Sequence, residues 1–286
     1  LEVDEVSGTD TEIQPVESYT GCSGEKAEAN DYYEQTVPLY EAQIQPGKSP
    51  KLQEAFASIL IKIGDYYQKR GQKEKAAERF EQALNVYRGD AEGIAKTVIK
   101  IGSNFDLPER YKYYDQMVQA FRQRGQREET AAILSEVGSQ YRYASYQKDQ
   151  DKAAGYEKAL EYRTQALKIY EELGDRKKQA FLLYGIAEHQ FLRGKRKESL
   201  NNLRLALKLY EAINDLKGQA DVVWAIGFVE MNLSRKQESI ASFKRALELY
   251  NQILTNSSAG LTQNDKLEIQ RNIKYAQDRI NELNSE

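Results

Sequence analysis

Tyr170, Tyr210 and Tyr250 stand forty residues apart, and the segments ending on the last two align without a gap. These are YGIAEHQFLRGKRKESLNNLRLALKLY (184–210) and WAIGFVEMNLSRKQESIASFKRALELY (224–250). IKIGDYYQKRGQKEKAAERFEQALNVY (61–87) fits the same frame. A domain folded around one closed core has no cause to repeat itself at a fixed step. A solenoid has, because each unit buries its apolar face only on its neighbours and the same pattern must recur.

Each unit reads as two helices. Leu60, Ile63, Gly64 and Tyr67 recur at helical spacing, a turn follows at Arg70-Gly71-Gln72, and Ala76, Phe80 and Ala83 then mark a second helix. Glycine in the turn supplies the left-handed residue that ends a helix. Between units, Gly89-Asp90 and Gly174-Asp175 combine a terminator with an N-cap carboxylate.

This pattern resembles the tetratricopeptide repeat, whose signature is W-x2-L-G-x2-Y followed by A-x3-F-x2-A. The first unit supplies Leu60, Ile63, Gly64, Tyr67, Ala76, Phe80 and Ala83. The second supplies Val98, Ile101, Gly102 and Phe105, with Tyr113, Met117 and Ala120 one residue short of register. The third supplies Leu134, Val137, Gly138 and Tyr141, then Ala159 and Ala166, with about nine extra residues between its halves and Arg163 where Phe is expected. The fourth gives Leu183, Ile186, Ala187, Ser199, Leu203 and Ala206, with Gln190 at the Tyr position. The fifth gives Val223, Ile226, Gly227, Ser239, Phe243 and Ala246, with Glu230 there. Units near forty residues resemble those of kinesin light chains and bacterial multi-repeat regulators. IYEELGDRKKQA (169–180) is similar to arrays beside caspase-like (CHAT) domains in cyanobacterial proteins. The resemblance implies an all-α, right-handed superhelix of about five helix-turn-helix repeats over 55–253.

The ends read differently. Residues 1–24 hold Glu2, Asp4, Glu5, Asp10, Glu12 and Glu17 and no Lys or Arg, the composition of a flexible acidic arm. Residues 25–54 are expected to be an N-terminal helical cap in which Val37, Tyr40 and Ile44 cover the first repeat. In 254–286, Thr262 and Asp265 form a capping-box-like start, and Ile269, Ile273, Ala276, Ile280 and Leu283 form one apolar stripe on a polar helix. A C-terminal capping helix needs that single stripe, and it is preferred here to a dimerising coiled coil. The third unit's extra residues, with Tyr141, Tyr143, Tyr146 and Tyr156 among them, suggest lengthened packed helices rather than a protruding contact loop.

Composition narrows the chemistry. One cysteine, Cys22, makes no internal disulfide and no thiolate zinc site, and its setting Tyr-Thr-Gly-Cys-Ser lacks the apolar stretch of a lipoprotein signal. One histidine, His189, builds no multi-histidine metal site; beside Glu188 on a helix it points elsewhere, and it is expected to be a partly exposed polar residue. Asp149-Gln150-Asp151 is too sparse for a calcium loop, and no glycine-rich phosphate loop occurs. The expectation is a non-enzyme with no cofactor and no metal.

The net charge is −3, so removing the acidic arm leaves a body close to neutral, a poor match to nucleic acid. Lys195-Arg196-Lys197 reads as a solvated turn. No apolar run is long enough to span a membrane. The chain opens on Leu1 rather than Met, which suggests a trimmed piece. A cytoplasmic location is expected, with a removed signal peptide as the alternative.

A protein or peptide partner is then the expected ligand. In tetratricopeptide arrays the first helix of each unit lines the concave face. The resemblance implies that the positions one and five past the first core residue, and the one after the Tyr position, point into that groove. In the first three units these are Ile61, Asp65, Gln68, Ile99, Ser103, Asp106, Ser135, Ser139 and Arg142, a mixed polar wall without the Lys/Asn clamp that chaperone carboxylates require. In the last two they are Tyr184, Glu188 and Phe191, then Trp224, Phe228 and Met231, with Phe181 and Asp221 flanking. Trp224, Phe228 and Met231 form a stripe apart from Val223, Ile226 and Gly227, and Trp224 is the chain's only tryptophan. A helix with two apolar stripes offers more apolar surface than its neighbours in a simple array bury. Three explanations stand: the terminal helix folds over the stripe, a partner peptide takes it, or the register is misassigned. The first two hold together if the terminal helix is displaceable. The candidate hot spots are Trp224 and Phe228, flanked by Tyr184 and Phe191, with Glu188 and Asp221 orienting. The alternative is a regulatory sensor array cut from a larger protein such as a CHAT-protease effector.

Overall fold

The computed structural model describes residues 33–40, 42, 50–145, 152–256 and 261–285. The acidic arm, Cys22, Asp149-Gln150-Asp151 and Tyr146 lie outside them, as do the side chains of Arg142, Tyr143 and Tyr156. Among the described residues every regular element is a helix. A short helix α1 (33–40) precedes α2 (Pro50–Lys69), α3 (Lys73–Val86), α4 (Ala91–Gly102) and α5 (Leu107–Gln123). Then follow α6 (Arg127–Ser145), α7 (Lys152–Leu173), α8 (Arg176–Leu192), α9 (Arg196–Ala212), α10 (Leu216–Asn232), α11 (Lys236–Asn256) and α12 (Gln263–Ser285). α2 pairs with α3, α6 with α7, α8 with α9 and α10 with α11, the helix-pair packing of the all-α repeat array that the sequence implies.

The forty-residue step is visible in the bonds as well as the side chains. After α7, Gly174 takes φ 74, the Asp175 amide donates to Tyr170 O at 3.1 Å, and the Asp175 carboxylate accepts from Lys178 N at 3.0 Å. The Gln179 amide then donates to Tyr170 O at 2.9 Å. After α9 the same joint recurs: Asn214 at φ 55, Asp215 N to Tyr210 O at 3.0 Å, Gly218 N to Asp215 at 2.9 Å, and Gln219 to Tyr210 O at 3.2 Å. An aspartate N-cap and a left-handed residue together satisfy groups that helix ends otherwise leave open.

Within a pair, size complementarity sets how closely the helices approach. A Cβ placed on Gly64 would lie 2.3 Å from the Phe80 ring, and one on Gly227 would lie 3.0 Å from Phe243. The fourth unit solves the same contact with Ala187 against the smaller Leu203, both buried. The repeat therefore tolerates either glycine under phenylalanine or alanine under leucine.

The chain divides into two compact units, residues 1–111 and 112–286, with the boundary inside α5. In the first, α1 buries Val37 and Tyr40, the latter stacked on Phe56 at 5.5 Å. Glu34 accepts from Tyr67 OH at 2.7 Å and pairs with Arg79 at 2.5 Å. Ile61, assigned to the groove, is instead buried in the core.

In the second unit the buried residues of α5 are Tyr114, Val118 and Phe121, not Tyr113, Met117 and Ala120. The step of 38 that carries Leu60, Ile63 and Gly64 to Val98, Ile101 and Gly102 also carries Ala76, Phe80 and Ala83 to these three, so no residue is missing. Arg163, at a phenylalanine position, is buried and runs past Gly138 and Gly185 to donate to Ser139 Oγ at 3.1 Å. Gln190 and Glu230, at tyrosine positions, each reach twelve residues ahead to the second helix of their own pair. Asn202 donates to Gln190 at 2.8 Å, and Ser242 donates to Glu230 at 2.7 Å. His189 is 1 % exposed, not a partly exposed residue: it falls on the inward side of α8 beside Gly185 and Ile186.

Candidate functional site

The residues singled out on the last two repeats come together on one face of the second unit. Tyr184, Glu188 and Phe191 lie on α8, and Asp221, Trp224, Phe228 and Met231 on α10; all seven are half-buried. The helices differ from ordinary amphipathic ones. α10 buries Val222, Val223, Ile226, Gly227, Val229 and Glu230, and carries the aromatic stripe on top of that. Trp224, Phe228 and Met231 recur at i, i+4, i+7 and so share one line along the helix.

The rings form a continuous chain. Phe191 meets Phe228 with centroids 5.2 Å apart, joining α8 to α10. Phe228 stacks parallel to Trp224 at 6.0 Å. Trp224 meets Tyr275 of α12 at 5.2 Å, and Tyr275 also lies 6.2 Å from Phe243 of α11. Cations flank both ends: Arg196 lies over Phe191 at 6.0 Å and Arg279 over Tyr275 at 5.3 Å. Phe181, one turn before Tyr184, is 50 % exposed.

The terminal helix thus folds back over the Trp224 end of the stripe. Trp224, Phe228 and Met231 pack against a cluster built on Ile240, Phe243, Ala276 and Leu283, with Tyr275 and Ile280 alongside. Tyr275 was not among the expected site residues. It lies beside the Ile269-to-Leu283 stripe rather than on it, and a lone aromatic on the otherwise polar side of a helix was the available signal.

Asp221 also turns out to be engaged within the chain. It accepts from Tyr250 OH at 2.8 Å and from Lys217 Nζ at 3.1 Å, and Asn272 of α12 donates to the same tyrosine oxygen at 3.0 Å. Burial, reinforced by the charge and hydrogen bond of Asp221, holds the Tyr250 hydroxyl far above the ordinary phenol range. Tyr210 is pushed up to about 12 by burial and by the charges of Asp215 and Asp221. Burial works against the Lys217 ammonium, but Asp221, with Glu268 and Asp265 of α12, outweighs it and raises Lys217 above its usual value. The Tyr250–Asp221 and Asn272–Tyr250 bonds tie α10, α11 and α12 together.

Among the described residues no cluster of three or more His, Cys, Asp or Glu is arranged to hold a metal ion, and no helix is long and apolar enough to cross a membrane.

Neither family models nor curated proteins give a match to the chain. Solved structures do. The chain resembles BtubC (BKLC) from P. vanneervenii at 13% identity and TM-score 0.51, over 83% of this chain and 93% of that one. It also aligns with a signal transduction ATPase with numerous domains carrying a tetratricopeptide repeat sensor, from Pyrococcus horikoshii. That match has 15% identity and TM-score 0.49, over 89% of this chain and 41% of that one. A Rap protein complexed with competence and sporulation factor aligns at 13% identity and TM-score 0.42, over 92% of this chain and 94% of that one. At such identities the likeness is one of fold, an array of stacked helix pairs.

Proposed function

We propose that this tetratricopeptide-type array is a protein-binding module whose partner docks on the aromatic face of α8 and α10. One observation carries the reading: a row of large apolar side chains, Phe181, Tyr184, Phe191 and Phe228, keeps exposed surface although α12 has already covered the Trp224 end. Aromatic side chains contribute most to interfaces when a partner seals them from water. A row carried by α8 and α10 suits a partner helix or an extended segment. The function is equilibrium binding with no bond chemistry. Tyr184 and Phe191 serve as anchors, Trp224, Phe228 and Met231 as the far wall, and Glu188 and Asp221 as the polar margin.

Phe181→Ala and Phe191→Ala test it. Both trim partly exposed rings and are expected to leave the helicity unchanged. A partner recovered from the native cell with the wild-type chain, then measured against purified variants, should bind at least about tenfold more weakly to Phe191→Ala, a loss of about 1.4 kcal/mol or more. Wild-type affinity in both folded variants would remove the partner from this face.

A further inference from the structure

α12 sits on its face through a narrow seam. Ile269, Ala276 and Leu283 are buried, with Ile273 and Ile280 half-buried between them, a 4-3-4-3 spacing that presents one edge of a helix. Most of its remaining surface is exposed amide and charge. Its end structure is its own: Thr262 N donates to Asp265 at 3.0 Å, Asp265 N donates back to Thr262 Oγ1 at 3.1 Å, and Arg279 pairs with Glu282 at 2.5 Å. Such a helix keeps its first turn capped when it leaves the surface beneath it. Among the described residues its polar ties to the array include the Asn272–Tyr250 hydrogen bond and the charges of Asp265 and Glu268 acting on Lys217.

Under this helix the Trp224 Nε1–H is buried and meets no acceptor among the described residues. The nearest ring, Tyr275, has its centroid 5.2 Å from that of the indole at a 52° tilt and takes no hydrogen bond from that proton. A buried donor in a native structure ordinarily has a partner. α12 therefore matches the face in shape and leaves one of its hydrogen-bonding groups unmatched.

We infer that α12 is a resident occupant of the Trp224–Phe228–Met231 face, and that a partner's amphipathic helix takes its place there. That helix carries a hydrogen-bond acceptor opposite Trp224 Nε1 and an acidic first turn toward Lys217. The inference rests on the reading of the array as a protein-binding module and adds the partner's chemistry. The seat of α12 gives the template: an apolar 4-3-4-3 edge, small at its centre where Ala276 is buried, and acidic toward its N-terminus. The acceptor is what distinguishes the incoming helix from the resident one. Binding is then regulated by the chain itself, since the partner must outcompete a tethered helix whose effective concentration is high.

The test uses the full chain and a fluorescent peptide with the sequence of residues 261–286. Ile273→Ala with Ile280→Ala loosens the seam at two half-buried positions. The peptide should bind this variant at least about tenfold more tightly than it binds the wild type, reporting removal of the tethered competitor. The emission of Trp224, the sole tryptophan, should shift on binding. Of two peptides that both lose the Tyr275 ring, Tyr275→Gln and Tyr275→Met, only the first offers an amide oxygen, and it should bind several-fold more tightly than the second. Equal affinity for variant and wild type overturns the displacement. A Tyr275→Gln peptide no tighter than the Tyr275→Met peptide overturns the acceptor.

If the variant loses its helicity, native-state hydrogen exchange on the wild type decides. Exchange of α12 amides through an opening that leaves α10 and α11 protected supports the inference, and α12 opening only with the rest of its unit overturns it. A partner that binds wild type and loosened variant equally well defeats this inference and leaves the proposed function standing. Peptide exchange in a chain whose partner ignores Phe181→Ala and Phe191→Ala does the reverse.

Discussion

The pairing of Gly64 with Phe80 allows a worked prediction. In Gly64→Ala the added Cβ would meet Phe80 Cε1 at 2.3 Å, Cδ1 at 2.6 Å and Cζ at 3.0 Å. Ordinary carbon contacts begin near ~3.5 Å, so the ring must retreat by about 1 Å in a core packed like an organic crystal. Overpacking costs about 1–3 kcal/mol, an overlap of more than about 1 Å belongs at about 2–3 kcal/mol, and replacing glycine by alanine within a helix returns about 1 kcal/mol. The net expectation is a loss of about 1–2 kcal/mol. Gly227→Ala is the internal comparison: its Cβ lies 3.0–3.2 Å from Phe243, a few tenths of an ångström too close, so strain and propensity should nearly cancel, within about 0.5 kcal/mol of wild type. Phe80→Leu in the Gly64→Ala background recreates the alanine-under-leucine pair that the fourth unit uses. It should recover most of the loss, with a coupling of about 1 kcal/mol in the double-mutant cycle. Urea unfolding followed by circular dichroism, compared at constant m, gives each value. A Gly64→Ala protein as stable as wild type, or one less harmed than Gly227→Ala, would refute the reading of close approach as the reason for these glycines.

Three further outcomes are expected. Tyr250→Phe removes the donor to Asp221 and the acceptor for Asn272 while Lys217 still serves Asp221, so unfolding should show a loss of about 1–2 kcal/mol. The raised folded-state values of Tyr210, Tyr250 and Lys217 all mean tighter proton binding in the folded chain, so their stabilisation is complete below the ordinary values near ~10 and fades as pH rises above them. Urea midpoints should be flat from about pH 7 to 9.5 and fall beyond about 10, and Tyr210→Phe, whose share is on the order of 2 kcal/mol, should soften that fall. Ser234 is held at φ 58 in the turn between α10 and α11, and Ser234→Gly should raise stability by about 0.5–1 kcal/mol, measured by thermal or urea unfolding; an unchanged midpoint would mean the turn carries no strain.

The helix pairs were legible because packing imposes a period. Leu60, Ile63, Gly64, Tyr67, Ala76, Phe80 and Ala83 occupy one repeating frame, and the caps at Asp90, Asp175 and Thr262 follow from local chemistry within three residues. What escaped were non-local compensations. His189 is buried because of where α8 lies, and adjacency to Glu188 carries no information about that. In α5, Met117 and Ala120 imitate a core spacing one residue early, and only burial of Val118 and Phe121 decides between the two frames. The candidate face was half legible: seven residues on two helices could be grouped by repeat position, but Tyr275 and the Asp221–Tyr250–Asn272 bonds belong to a helix outside the repeat, whose register no periodicity specifies.

The joints at Asp175 and Asp215 bear on how such a chain changes length. A block running from Asp175 to Asn214 begins on an aspartate that caps α8 and ends on the left-handed residue that closes α9, and its successor begins on the same bonds. Its Gln179 reaches back to Tyr170 O as Gln219 reaches back to Tyr210 O, so each block brings the donor and leaves the acceptor for the next. An in-frame duplication of this block would meet matching ends on both sides, and the chain can lengthen by whole modules without a new junction having to arise. Growth of that kind would copy Tyr184, Glu188 and Phe191 along with the scaffold, widening the aromatic face one helix at a time.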